Sequence, residues 1–400
     1  MLLEMIDYYT WSIIIFIVIL GLLIYKDRKH FERDAFILVR RTLHGRDFIS
    51  NIGKNHPLFW KIMGNIAIIA VFVASILTLG WMVYNVYDIL ISEIAMPALA
   101  AVIPTTSTTA TIGPGYFAVP FWFWVIPIIL LLVVHEGFHG IMSGREGVKI
   151  KSMGVGILAV LPLAFVEPDE KQIVKKPMMS QLRIFAAGSY ANFLVAGISA
   201  LILMFGFVGL SLVSGVGFSG YTEGYPAADV NLTGIITKIN DYDIHTTDDL
   251  HKALLEIGAG QEVTIETLLV HNDGSFETLT YTLVTAAGPE GTDDEKGYIG
   301  ITFEGINPNM NILRPEYEPY REVIVFIQGL IYFMFLINLG VGLFNTFPIK
   351  FLDGGRMFEL VFLRISKKKG PTMMKALTFF TLIVILLNIA LPFIKPLFMV

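Results

Sequence analysis

The sequence predicts a polytopic α-helical membrane protein of about six transmembrane helices, interrupted once by a small soluble domain. Three observations carry this. The 400 residues are 54% hydrophobic and 16% charged, with a mean hydropathy of +0.65, a composition foreign to soluble domains. Six stretches are apolar over roughly the length a helix needs to cross a bilayer, about 20 residues. Residues 214–310 differ in kind, being charged and rich in Gly and Asn/Asp turns, with strand-like runs. There is no cysteine, which excludes a disulfide framework, thiolate metal ligands and a cysteine nucleophile. A net charge of −5 offers no footprint for nucleic acid.

Residues 1–25 begin with Glu4 and Asp7 and run apolar from Trp11 to Tyr25. They lack the basic n-region and small-residue cleavage site of a secretory signal, so they read as an uncleaved first span. Residues 26–61 are polar and basic, and the second span is about Ile62–Val86. Residues 87–117 hold no Lys or Arg; part of them, Ile89–Ile103, is apolar enough to lie in the interface or dip into the membrane. The third span is about Ala118–Met142. After it, Val148-Lys149-Ile150-Lys151 alternates like a strand. Gly154–Val166 is apolar but too short to span as a helix, and reads as a re-entrant segment or a hairpin. The fourth span is about Ile184–Val213. In the soluble insert the runs Gly234–Ile239, Glu262–Val270 and Phe276–Val284 read as strands. The fifth and sixth spans are about Val323–Phe344 and Met374–Phe398.

The chain thus divides into N-terminal helices and loops (1–117), a first part of a membrane core (118–213), the soluble domain (214–310), a second part of the core (311–360) and a C-terminal helix (361–400). Lys and Arg orient it. Residues 26–61 hold 9, 143–183 hold 7 and 345–375 hold 7, together 23 of the 29. All three segments fall on one side of a six-span arrangement, which the positive-inside rule makes cytoplasmic. Both termini and the soluble domain are then expected outside, in a plasma membrane.

The chemistry centres on His135-Glu136-Gly137-Phe138-His139, toward the end of the third span. On a helix, His135 and His139 project from one face and can bind one metal ion, with Glu136 beside them to take a proton from water. Ionisable residues in an apolar span are costly, and a divalent cation is a partner strong enough to hold three of them. Without thiolates, the ion must be held by His and carboxylate. Asp353, Glu167 and Asp169 all lie on the same expected side and compete for the third position. The other six histidines fall outside the spans.

Far downstream stands Asn345-Thr346-Phe347-Pro348-Ile349-Lys350-Phe351-Leu352-Asp353-Gly354. Together, the two motifs resemble those of the site-2 protease family of intramembrane zinc metalloproteases. The resemblance covers spans three to five closely and the rest by general layout. It implies that His135, His139 and Asp353 ligate zinc, that Glu136 is the general base and acid, and that Asn345 positions the substrate or its oxyanion. Gly188 and Asn192 resemble a small-residue/Asn motif of the family's next core helix, with Ser189 where proline is common. With Pro348, they are expected to contact substrate.

The insert resembles a protease-associated PDZ domain through Gly224-Tyr225-Pro226-Ala227-Ala228, Gly234–Asn240 and Leu250–Leu254, with Leu232-Thr233-Gly234 where a Gly-Asp pair is usual. This implies a small α+β PDZ-like domain that takes a peptide or substrate tail. The function expected is a zinc-dependent endopeptidase cutting transmembrane segments of membrane proteins near the cytoplasmic face, with the lipid bilayer as its medium and no nucleic acid as partner. Two rivals are an inactive PDZ-bearing scaffold, which has no need of intact His135, Glu136, His139 and Asp353, and an ion or metal transporter. The sequence shows no repeated halves of the kind common in transporters.

Overall fold

The computed structural model describes residues 7–34, 37–92, 97–113, 115–158, 161–271, 276–288, 296–303, 309–313 and 315–395. In chain order come α1 (Tyr8–Asp27), β1 (Phe31–Asp34), β2 (Ile37–Thr42), α2 (Arg46–Asn55), α3 (Pro57–Ile91), β3 (Ala101–Thr105), β4 (Thr111–Gly113), β5 (Tyr116–Pro120) and α4 (Phe121–Arg145). The β6 (Ile150–Leu158) and β7 (Leu161–Pro168) pair, the short α5 (Glu170–Ile173) and α6 (Met178–Leu201) follow. Then come β8 (Ser211–Val216), β9 (Gly220–Tyr221), α7 (Pro226–Asp229), β10 (Ile235–Ile239), β11 (Tyr242–Asp243), α8 (Thr247–Ile257), β12 (Glu262–Val270), β13 (Phe276–Val284), β14 (Ile301–Thr302) and β15 (Asn309–Leu313). The chain closes with α9 (Arg321–Asn345), α10 (Asp353–Ile365) and α11 (Gly370–Ile394).

Six helices are long and apolar enough to cross a membrane: Tyr8–His30, Pro57–Ile91, Phe121–Arg145, Met178–Gly206, Arg321–Asn345 and Gly370–Ile394. Their ends follow local rules. Asp7 caps α1 by accepting from the Thr10 amide at 2.8 Å. Proline occupies the first turn of α3 and of α11, where the missing N–H has no intrahelical partner to lose.

The fourth span departs from its sequence reading at both ends. It starts at Met178 rather than Ile184, because Arg183 is buried yet paired. Its guanidinium donates to Asn65 Oδ1 (2.8 Å) and to Glu146 Oε1 (3.2 Å). Leaving either buried charge alone would cost about 3–5 kcal/mol. At its far end α6 passes into a π-helical turn, Ile202–Gly206, and Ser211 already begins a strand. The apolar run to Val213 is therefore partly sheet.

The chain forms two compact units, one of residues 1–201 and 328–400, the other Ile202–Ile327. In the first, α3, α6 and α10 meet through Ala67, Ile68, Val71, Leu182, Ala186 and Met357. Further along, Trp124, Val125 and Leu131 of α4 pack on Phe333 and Ile337 of α9. Of the expected interfacial stretch Ile89–Ile103, residues 93–96 lie outside the described residues, Leu99 packs against the cluster of Met82, Phe347, Ile349 and Val384, and β3 joins β5 and β4 in a small three-stranded sheet tied to α4 by Trp124 Nε1 donating to the Val102 carbonyl (3.2 Å). The apolar insert is a hairpin. Its strands β6 and β7 join β1 and β2 in an antiparallel sheet of order β1-β2-β6-β7, with β7 at an edge and against α4. Phe31–Asp34 and Ile37–Thr42, in a segment that read only as polar and basic, thus supply two of the four strands.

The second unit is α+β. One antiparallel sheet has the order β13-β12-β10-β8-β15, with β11 added to β10, and β14 pairs β9. The expected strands Glu262–Val270 and Phe276–Val284 pair along their whole length. A reciprocal capping box, Thr246 with Asp249, starts α8. The core includes Leu232, Ile236, Ile239, Leu250, Ile265 and Ile299, all nearly or fully buried.

Candidate metal centre

The second half of α4 carries His135, Glu136 and His139. From His139 to the end of the helix at Arg145 is about 9 Å at 1.5 Å per residue, so the pair lies inside the span near one end. The third group arrives from far along the chain. Helix α9 ends at Asn345, the chain turns through the buried Phe347, Pro348 and Ile349, and α10 begins at Asp353. Gly354 and Gly355 make this docking feasible. A Cβ on either would collide with the carbonyl of Thr346 or Ile349. The pair after Asp353 therefore lets the first turn of α10 lie directly on the preceding loop.

His135, His139 and Asp353 each offer a ligand atom, all within 4.8 Å of one another. Nε2 of His135 is 3.3 Å from Nε2 of His139, and the two lie 3.5 and 3.4 Å from the Asp353 carboxylate oxygens. Two imidazoles and a carboxylate are a donor set suited to catalytic zinc, which keeps a fourth position open. The surroundings leave room for such an ion: a Cβ at Gly188 would press against the Nε2 atoms of both histidines. Glu136 stands outside this trio. It accepts a hydrogen bond from the Val166 amide at 2.9 Å, which holds its carboxylate beside the site.

A cavity of about 260 Å³ opens onto these residues, lined also by Val166, Pro168, Asn345, Leu352 and Arg356. Asn345 therefore faces the cavity from the last residue of α9. Pro348 does not line it; its carbonyl accepts from Thr378 Oγ1 at 3.3 Å. Asn192 is fully buried, its amide 3.1 Å from His135 Nδ1. The rival carboxylates are engaged elsewhere: Glu167 accepts from Ser152 (2.7 Å), and Asp169 caps α5. The other histidines lie outside the cluster. Sequence reasoning had no hold on three further contacts. The Ile184 carbonyl lies 2.7 Å from His139 Nδ1, Ser189 Oγ donates to Asp353 Oδ2 at 2.9 Å, and Val166 meets Glu136. None carries a local signal, since two are backbone groups and the third is a serine on an ordinary helix.

A zinc-type ligand set with a glutamate beside it, its two histidines on a helix long and apolar enough to cross a membrane, defines the class as a membrane metalloprotease. The model of Peptidase family M50 matches residues 123–389, most of the chain, and the chain belongs to that family, the site-2 proteases. Over 348 residues it is 26% identical to an uncharacterized protein of Methanocaldococcus jannaschii, spanning 86% of this chain and 83% of that one. Over 309 residues it is 23% identical to a protein of Clostridium perfringens provisionally named a zinc metalloprotease, spanning 62% of this chain and 89% of that one. The protein is a multi-pass membrane metalloprotease, and zinc is its metal.

Proposed function

We propose that this chain hydrolyses peptide bonds within transmembrane segments of other membrane proteins, near the cytoplasmic face, with His135, His139 and Asp353 holding the zinc. The observation that carries the proposal is the convergence of three donor atoms within 4.8 Å inside a bundle of apolar helices. When bound, zinc polarises the scissile carbonyl and makes water a nucleophile at neutral pH.

The chain's own groups do the rest. Glu136 takes the proton from the attacking water and hands it to the departing amine. Asn345, on the cavity wall, steadies the substrate carbonyl as it gains negative charge. A helical substrate shields its own peptide bonds, so the scissile stretch must become extended. Strand β7 lines the same cavity through Val166 and Pro168 and lies at a sheet edge, a place where an extended segment can pair.

The three basic segments support a cytoplasmic site end and an extracytoplasmic second unit. The PDZ-like reading of residues 214–310 is supported by a groove of about 280 Å³. It lies along α8 and residues 296–303 and is lined by Leu250, Leu254, Ile299, Ile301 and Phe303. Such a groove accepts an extended apolar peptide or a substrate tail. The test of the reaction is direct: incubate the purified protein with a single-span membrane substrate, with and without a zinc chelator, and map the fragments by mass. Cleavage inside the apolar span, lost with chelator and restored by zinc, is the expected result; cuts confined to loops, or insensitive to chelator, would refute the proposal.

A further inference from the structure

Helix α6 carries an outer partner for each of the three candidate ligands. The Ile184 carbonyl faces His139 Nδ1 at 2.7 Å, Ser189 Oγ donates to Asp353 Oδ2 at 2.9 Å, and the Asn192 amide lies 3.1 Å from His135 Nδ1. Positions 184, 188, 189 and 192 form one stripe of a helix, and Gly188, in its middle, leaves the space between the histidines.

Two of these contacts are chemically complete. A ring N–H donates to a carbonyl, and a hydroxyl donates to a carboxylate. The third is not. As oriented, Asn192 presents its NH2 group to His135, while its Oδ1 is buried without a hydrogen-bond partner among the described residues. A histidine that offers Nε2 to a metal carries its proton on Nδ1 and needs an acceptor there. The present orientation then satisfies neither group. The two ends of a carboxamide have nearly the same shape; turning it by 180° brings Oδ1 onto the Nδ1–H and satisfies both the ring and the carbonyl.

We propose that α6 presets the zinc centre, and that Asn192 is a positioning residue whose Oδ1 fixes the His135 tautomer and ring angle. Burial supports this over the expected substrate contact: Asn192 is 0% exposed and does not line the cavity. The inference rests on the reading of His135, His139 and Asp353 as the zinc ligands. Outer partners of metal-bound histidines typically matter about 10–100-fold in affinity.

The experiment uses the purified full-length protein in detergent and measures zinc affinity by chelator competition, thermal unfolding without metal, and the visible spectrum with cobalt in place of zinc. Asn192→Ala should weaken zinc binding by about 10–100-fold and shift the cobalt bands, with metal-free unfolding little changed. Asn192→Asp, which keeps the acceptor, should bind zinc at least as tightly as the wild type. Asn388→Ala, which removes another buried asparagine, one that donates to the Met82 and Val384 carbonyls, should leave affinity unchanged. Wild-type affinity in Asn192→Ala, or equal weakening by Ala and Asp, would overturn the proposal. If Asn192→Ala does not fold, Asn192→Asp alone decides it, since weakened binding there would refute the acceptor role. His139→Ala separates the two readings: if it keeps zinc, the ligand assignment fails; if it loses zinc while Asn192→Ala does not, only the role of Asn192 fails.

Discussion

The backbone amide of Val166 donates to Glu136 Oε2 at 2.9 Å, so the candidate base on a membrane helix is held by a strand of the β-hairpin beside it. Glu136→Gln keeps size and hydrogen bonding but cannot accept a proton. Cleavage should vanish, while metal analysis still finds about one zinc per chain, because the residue is outside the ligand set. Val166→Pro removes the amide donor at a strand edge, where proline is tolerated. It should lower kcat by up to about 100-fold with zinc content unchanged, as read from turnover beside metal analysis.

The third ligand can be tested by comparing carboxylates. Asp353→Ala should lose zinc and activity together. Glu167→Ala, which frees only Ser152, and Asp169→Ala, which uncaps the short α5, should retain zinc. Metal analysis on the three purified variants decides the matter, and zinc retained only in Asp353→Ala would transfer the role to another carboxylate.

Gly188→Ala places a methyl group against the Nε2 atoms of both histidines. Overpacking of this kind costs about 1–3 kcal/mol, and here it also fills the space between the ligands. The expected result is loss of zinc in a protein that still folds. Thermal unfolding and metal content together would show it, and full zinc occupancy would refute it.

Orientation can be read with single cysteines, since the chain has none of its own. A membrane-impermeant thiol reagent applied to intact cells should label Asp248→Cys and spare Lys368→Cys, both at exposed positions. The opposite pattern would invert the topology.

Groove binding offers a further check on the second unit. Phe303 lines its groove and remains exposed at its rim. Phe303→Asp should abolish binding of a labelled apolar peptide to the intact protein, measured by fluorescence anisotropy, without lowering zinc content. Unchanged peptide binding would remove the groove from consideration.

Much of the membrane unit was legible because its signals are local. Hydropathy marks a span wherever a helix faces lipid, and it located five of the six helices to within about five residues, the fourth less closely. It failed where a charge is buried and paired. Arg183 reads as the end of a span, yet Asn65 and Glu146 keep it within one. It failed again at Ser211–Val213, where apolar residues serve a sheet rather than a bilayer. Strands β1 and β2 were invisible for a related reason: both are short and carry charged residues, and their strand partners are each other and, for β2, the distant β6.

By itself, the sequence determined the pair His135 and His139 with Glu136 between them, because four-residue spacing on a helix puts two rings on one face wherever that helix lies. It also marked three strands of the second unit, β10, β12 and β13, as strand-like runs between turn residues. The downstream motif, through its family resemblance, pointed to Asp353; what only the tertiary structure decided is how that carboxylate, rather than Glu167 or Asp169, comes beside the pair. Asp353, Glu167 and Asp169 are chemically alike; the glycines after Asp353 let α10 dock on the 346–349 loop and deliver that one to the histidines. Tertiary structure also brought Ser189 to Asp353, 164 residues away in sequence. Contacts between distant segments depend on how helices pack, and packing leaves no periodic trace in the chain.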